Sequence, residues 1–329
     1  MPMRTPENIL ISRTDGIGDV VLTLPLAGAL RSAFPQATIQ FLGRSYTAPV
    51  VAACKNIDRF LNWDDAGSTP KMQTDFIKAT GADTVIHVFP RKEVVAAAFA
   101  AGCATRIGTG RRLHTFLRVN KPLWFSRKGS DAHEAQLNLR MLEPLGIFAA
   151  SDDASIAANY GLVTNTQPPA HAKAFCDSGF SLLLHPKSHG SALEWPLASY
   201  AELIRLVTAQ GVRVGITGTT REREAMGDQL PWDLVHDFGG RLSLEELMAT
   251  ISHCNGLVAA STGPLHLAAA FGIHALGLYS PKRPIFPQRW RPIGVHAAYL
   301  VDTEHPEDGR LTISPAQVAE RILAWKANL

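Results

Sequence analysis

The chain has 329 residues, 46% of them apolar and 19% charged, which excludes a disordered or fibrous polymer and is long enough for two cores. Its net charge of +3 is divided unevenly: residues 1–150 hold 18 Lys/Arg against 12 Asp/Glu, a surplus of +6, and the remainder stands at −3. Cys54, Cys103, Cys176 and Cys254 are far apart and form no C-x-x-C pair, which argues against a disulfide framework or zinc site and for buried thiols in a reducing compartment.

Arg4, Glu7 and Arg13 interrupt any N-terminal apolar region, so no secretory signal is expected. In the first half, strands are expected at Asn8–Thr14, Ala37–Gly43, Arg59–Trp63, Thr84–Phe89 and Arg106–Gly108. Helical patterns fall between them at Val20–Phe34, Thr47–Cys54, Lys71–Thr80 and Glu93–Ala101, and His133–Leu145 closes the half. This alternation calls for a parallel sheet covered on both faces. The Glu93–Ala101 segment is apolar almost all round and is expected in the core rather than on lipid.

The first strand leaves through Ser12–Pro25, SRTDGIGDVVLTLP. Gly16 and Gly18 fit a dinucleotide fingerprint, but Val21 stands at its third glycine and Gly43-Arg44 where an acidic ribose ligand belongs. A cofactor site using Arg44 therefore remains only as an alternative. Asp19 sits at the mouth of the strand, where a carboxylate can act as general base or cap a helix. Pro25 either kinks a helix begun at Asp19 or lies in the first turn of one capped by Thr23.

The consecutive prolines of Asn165–Lys173 read as a linker, placing domains at 1–168 and 169–329. The alternation then restarts, with strands at Ser181–His185, Val212–Thr217, Leu234–Phe238, Leu257–Ala260 and Ala275–Tyr279. Helices are expected at Ser199–Gln210, Arg221–Leu230, Ser243–His253, Leu265–Phe271 and Pro315–Ala327. The long uncharged stretch Gly256–Pro281 is broken by Ser261-Thr262-Gly263-Pro264 and by Gly272, so it reads as strand, loop, helix and strand rather than a membrane span. Ligands of such sheets bind outside the carboxyl ends of the strands, and with two halves the cleft between them is the expected site.

Three loops of the second half suit an anionic ligand. Lys187, at the end of Ser181–His185, offers a point charge for a phosphate. Neighbouring His185 and His189 lack the partners of a metal site, and no metal is expected. Thr262, Gly263 and Pro264 open a helix whose free N–H groups and dipole favour an anion, with His266 one turn in. Gly218 and Thr219 form a close turn, and Glu222 either receives a ribose or base or belongs to a capped surface helix. In the first half the basic residues include Arg91, Arg111 and Arg112, without interleaved stacking aromatics. A small anionic acceptor or an acidic membrane surface fits them better than nucleic acid.

Four stretches together, Ile9–Pro35, His185–Ile204, Asp237–Cys254 and Ser261–Gly272, resemble bacterial glycosyltransferase family 9, the ADP-heptose:lipopolysaccharide heptosyltransferases. The resemblance implies an α/β GT-B fold of two Rossmann-like domains, an acceptor site in the first and a sugar-nucleotide site in the second. It implies Asp19 as general base, Arg13 as an acceptor contact, and Thr262, Gly263, Pro264 and His266 at the donor diphosphate. Ser261 stands where many members carry an acidic contact to the donor sugar, and Leu193-Glu194 where many carry a basic residue before Trp195-Pro196.

The expected reaction is an inverting, metal-independent transfer from ADP-heptose to an anionic glycolipid or oligosaccharide of the lipopolysaccharide core, with no cofactor. A cytoplasmic monomer, peripheral at the inner membrane, is implied. Three alternatives stand beside it: a member using another nucleotide sugar such as UDP-GlcNAc, a nucleotide-dependent oxidoreductase, and a non-catalytic carbohydrate-binding protein.

Overall fold

A computed structural model describes residues 5–188, 190–304 and 310–328. The chain divides into two compact units, Met1–Val163 and Thr164–Leu329, the break falling five residues before the boundary drawn from the prolines. The linker is also shorter than its sequence suggests, because a helix at Ala170–Asp177 takes up its last four residues.

Unit 1 is built on strands β1 (Asn8–Ser12), β2 (Thr38–Gly43), β3 (Arg59–Asn62), β4 (Thr84–His87), β5 (Thr105–Thr109) and β6 (Lys121–Leu123). They form one parallel sheet in the order β3-β2-β1-β4-β5-β6. Unit 2 contains β7 (Ser181–His185), β8 (Arg213–Ile216), β9 (His236–Asp237), β10 (Gly256–Ala260), β11 (His274–Tyr279) and β12 (Ala297–Val301). Its parallel order is β12-β11-β10-β7-β8-β9. Read from the other edge this is the same 3-2-1-4-5-6 winding, so both units are Rossmann-like and the chain has the α/β GT-B composition.

Central strands of such sheets are covered on both faces and must be apolar throughout. Ile9, Leu10 and Ile11 on β1, and Leu182, Leu183 and Leu184 on β7, are accordingly buried without exception. One core of unit 1 joins Leu10, Leu42 and Val85 to Ile77, Val94 and Ala98. In unit 2, Leu182, Val214, Val258 and Leu276 pack with Trp195 and Tyr200, whose rings meet edge to face at 4.8 Å. Trp195 also donates to the Ile313 carbonyl at 2.8 Å, which satisfies its buried indole N–H.

Several expectations are corrected. The single helix Val20–Phe34 is two, Ile17–Val21 and Leu24–Ala33, and Pro25 lies in the first turn of the second. Gly16, not Asp19, is the N-cap residue of the first. Strands β6 and β12 escaped the sequence reading because one is a three-residue edge strand containing Pro122 and the other is an edge strand with two exposed positions. The helix after His133 runs only over Glu134–Leu139 before tightening to a 3₁₀ segment that contains Pro144. The Lys92–Ala100 helix buries Val94, Val95, Ala97 and Ala98 but leaves Phe99 and Ala100 open, so it is not buried all round.

All four cysteines are free and buried. Cys176 and Cys254, 78 residues apart, nevertheless meet with their sulfurs 3.4 Å apart. No helix among the described residues is long and apolar enough to cross a membrane.

Candidate active site

The winding of each sheet reverses beside its first strand, between β1 and β4 in unit 1 and between β7 and β10 in unit 2. Loops leaving neighbouring strands there diverge to opposite faces and open a crevice at the carboxyl ends, the usual ligand position. The sequence-derived candidates largely collect at these two points.

In unit 1, β1 ends at Ser12 and delivers Arg13 into the interior with a side chain 3% exposed. Its guanidinium hydrogen-bonds the Asp19 carboxylate, lies 3.1 Å from Asp15 Oδ2 and donates to Glu134 Oε1 at 3.1 Å. Burial acts to strip the Arg13 proton, but the fields of Asp19, Glu134 and Asp15 outweigh it and hold its pKa above that of a free guanidinium. Glu134 is itself buried and takes a second hydrogen bond from Arg127, which also reaches Asn138 Oδ1 and the Val88 carbonyl at 2.8 Å each. Asn138 in turn donates to the Leu22 carbonyl at 2.8 Å, just beyond the Asp19 helix. A closed network thus fixes the loop after β1 to the loop after β4 and to the helix that begins at Glu134.

Asp19 is the most exposed of the three carboxylates around Arg13, its side chain 27% exposed against 14% for Asp15 and 1% for Glu134. Desolvation raises its pKa, Arg13 pulls it down, and Asp15 and Glu134 push it up, leaving it above the ordinary aspartate value. A carboxylate so placed is a stronger base than a free one. It does not serve as a helix cap: no side-chain cap bond forms at the start of Ile17–Val21, and the Thr23 hydroxyl bonds the Asp19 carbonyl at 2.8 Å instead.

Phe89, just past β4, gathers three guanidiniums over its ring, those of Arg13, Arg91 and Arg112 at 5.6, 5.4 and 5.5 Å from its centroid. Arg91 also binds Asp15 at 2.6 Å. Arg91 and Arg112 therefore form an exposed cationic rim beside Asp19, whereas Arg111 is exposed but is not part of that cluster. Arg13 needs correction: its burial and its three carboxylate partners make it an internal counter-ion of Asp19, not a group open to an acceptor.

In unit 2, the helix Gly263–Phe271 opens directly after β10, with Thr262 at its N-cap and Pro264 in the first turn. Thr262 Oγ1 and His266 Nδ1 are buried there with no hydrogen-bond partner. Unpartnered buried polar atoms at a helix start are what an anion would satisfy. Burial pushes the His266 imidazole down to about 4, so at neutral pH it is a neutral hydrogen-bonding group and not a cation. Ser261 is buried beside them, directly before the N-cap residue of that helix.

Lys187 follows β7, but its ammonium is already engaged by Glu194. Glu194 accepts in addition from the Ser188 amide at 2.8 Å and its hydroxyl at 3.1 Å. Burial works to raise the Glu194 pKa, but Lys187 and Ser188 overcome it and leave the carboxyl below its usual value. The acidic residue standing before Trp195-Pro196 thus neutralises the lysine that sequence offered as a phosphate contact.

Glu222 is a second correction. It is 4% exposed and forms a reciprocal cap with Thr219, accepting from the Thr219 amide at 2.7 Å while its own amide donates to Thr219 Oγ1 at 3.2 Å. The helix start thereby takes up the Thr219 hydroxyl and the Glu222 carboxylate, and a ribose or base has no open carboxylate there. Gly218 lies in that same turn, where a Cβ on it would press on Glu222 Cβ at 3.2 Å. His185 bonds Thr217 Oγ1 at 2.9 Å, and His189 lies outside the described residues. Among the described residues no three His, Cys, Asp or Glu side chains gather as a metal group.

Sequence reasoning missed Asp15, Phe89, Arg127 and Glu134. Arg13 and Glu134 are 121 residues apart, and only the His133-Glu134 opening of a helix marked the second in sequence.

A model of glycosyltransferase family 9 (heptosyltransferase) matches residues 141–312, more than half of the chain. A Haemophilus influenzae protein named "Putative glycosyltransferase" is 26% identical over 87% of this chain and 86% of its own length. Lipopolysaccharide heptosyltransferase 1 of Salmonella typhimurium is 25% identical over 84% of this chain and 89% of its own. The fold matches that of a family 9 glycosyl transferase from Veillonella parvula, with a TM-score of 0.81 at 21% identity and 98% of both chains covered. It also matches E. coli ADP-heptose LPS heptosyltransferase II, with a TM-score of 0.77 at 17% identity over 98% of this chain and 99% of the other.

Proposed function

The chain belongs to glycosyltransferase family 9, and from that premise we propose that it is an inverting transferase moving heptose from ADP-heptose to a lipopolysaccharide-core acceptor. The observation that carries this reading is the Asp19 carboxylate, desolvated and anchored by Arg13 at the reversal point of unit 1.

Unit 1 supplies the base and the acceptor contacts. Asp19 takes the proton of an acceptor hydroxyl, and the oxygen forms its bond to the anomeric carbon from the face opposite the nucleotide. Arg91 and Arg112 meet the carboxylates or phosphates of the acceptor. Unit 2 holds the donor. As the anomeric C–O bond breaks, its electron pair moves to the diphosphate oxygen, where the free N–H groups opening Gly263–Phe271, the Thr262 hydroxyl and neutral His266 receive the charge. No step requires a metal ion, and the enzyme works on the cytoplasmic side, where nucleotide sugars are made.

Calorimetric titration with ADP, UDP and GDP tests the donor assignment. Preference for ADP supports it, and preference for UDP or GDP transfers the same chemistry to another sugar. The Lys187–Glu194 pair refines the test. Replacing Lys187 with Ala leaves the Glu194 carboxylate uncompensated next to the donor phosphates and should weaken ADP binding about tenfold, or about 1.4 kcal/mol. Glu194→Gln releases the ammonium and should tighten binding severalfold. Unchanged affinity in both variants would remove Lys187 from the diphosphate site.

A further inference from the structure

Cys176 lies in the last turn of the helix Ala170–Asp177, and Cys254 is the C-cap residue of the helix Leu244–His253. These two helices of unit 2 pack on each other and bring the sulfurs into contact at 3.4 Å. Buried thiols are inert core groups when nothing favours the thiolate. Cys54 fits that description: its sulfur meets the Tyr160 carbonyl at 3.4 Å, not a second sulfur, and burial pushes its pKa up to about 11. Cys176 differs. Its hydrogen bond with the Cys254 thiol holds its pKa below that of a free thiol, against burial and Asp177 and with the help of Lys173 and Arg213. The same bond leaves Cys254 well above the ordinary thiol value. Cys176 is also the nearer to solvent, 8% exposed against 4% for Cys254, and it is followed by the exposed turn Asp177–Gly179. Gly179 has φ +117° with open space around it, so the backbone beside Cys176 has room to adjust.

We infer that Cys176 and Cys254 are an oxidation site of unit 2, closed to a disulfide by a small hydroperoxide, with Cys176 as the attacking sulfur and Cys254 as the resolving one. The Cys176 thiolate attacks one peroxide oxygen. An S–O bond forms as the O–O bond breaks, and the departing oxygen takes up a proton and leaves, as water when the oxidant is hydrogen peroxide. Cys254 then attacks the sulfenic sulfur. The S–S bond forms, the S–O bond breaks, and the hydroxide leaves with the Cys254 proton as water. Two thiols lose two electrons and one peroxide gains them. The product ties together two chain positions 78 residues apart, which removes freedom from the unfolded chain and stabilises the unit. Cys176 precedes β7 by five residues and Cys254 precedes β10 by two, so the link lies at the amino ends of these strands. The loops at Lys187 and Thr262 leave the opposite ends, and the inference does not rest on the transfer reading.

The test treats the folded full chain with hydrogen peroxide, then unfolds it, alkylates it with N-ethylmaleimide and maps the peptides. The four thiols of the reduced chain should fall to two, with one linked peptide joining Cys176 to Cys254 and both Cys54 and Cys103 still alkylated. Dithiothreitol should restore all of them. The melting temperature of the oxidised chain should rise by about 5 °C. Cys254→Ser should stop at the sulfenic acid of Cys176, which dimedone traps, whereas Cys176→Ser should leave Cys254 fully alkylated; neither should gain in melting temperature. The peptide map of the wild type decides the matter by itself where a serine variant fails to fold. Full alkylation after peroxide, a link that forms only when the chain is oxidised in denaturant, or sulfinic acid at one cysteine without a link would each overturn the assignment. A linked chain that melts no higher than the reduced one would overturn the stabilising role. Because neither donor nor acceptor is used, failure here is separable from failure of the transferase reading.

Discussion

Asp19→Asn should lower kcat by about a hundredfold or more while ADP affinity stays within about twofold. The amide keeps the size and one hydrogen-bond acceptor of the carboxylate but has no basic electron pair for the acceptor proton. Donor binding should be unaffected, because the helix start proposed to receive the diphosphate belongs to the other unit. Loss of one carboxylate among three around Arg13 leaves Asp15 and Glu134 to hold that cation, so the variant should fold. The checks are steady-state turnover with calorimetric ADP titration on the same preparation. Turnover at the wild-type level in a folded variant would exclude Asp19 as the base.

The second large effect is on the network behind it. Arg13→Gln removes the cation shared by Asp19, Asp15 and Glu134, of which Glu134 is almost wholly buried. Breaking a buried pair from one side costs about 3–5 kcal/mol, because the remaining charge stays in a poorly polarisable interior. Denaturant unfolding should show a loss of that size, lessened in so far as Arg127 continues to serve Glu134.

The activity profile should move in a definite direction. Arg13 lowers the Asp19 pKa, so its removal raises that pKa further, and the acid limb of kcat/KM should shift to higher pH. Glu134 raises the Asp19 pKa, so Glu134→Gln should shift the limb to lower pH. Opposite shifts from two residues that both stabilise the fold identify an electrostatic role and not a purely structural one. A limb fixed in both variants would mean that the base is not Asp19.

This pair of variants also marks where sequence reading reached its limit. Asp19 could be singled out because it stands beside Gly16 and Gly18 in the short segment after β1, and every term of that inference is local. Arg13 was legible as a residue but not in its role, which depends on Glu134 and Arg127 arriving from more than 110 residues away. Lys187 and Glu222 illustrate the same limit from the other side. Each has the right chemistry at the right strand end, yet Glu194 engages the lysine and the Thr219 turn engages the glutamate.

The sequence by itself determined the two parallel sheets, the loops at their carboxyl ends and the helix start at Thr262–Pro264. Apolar periodicity, glycine turns and proline in a first helical turn all act over a few residues, so they can be read along the chain. The tertiary structure alone decided which charges are buried together, which hydroxyls and carboxylates are taken up by caps, and which polar atoms are left without a partner. Those outcomes depend on desolvation and on partners distant in sequence, and a charge has no fixed pKa or role until its surroundings are assembled.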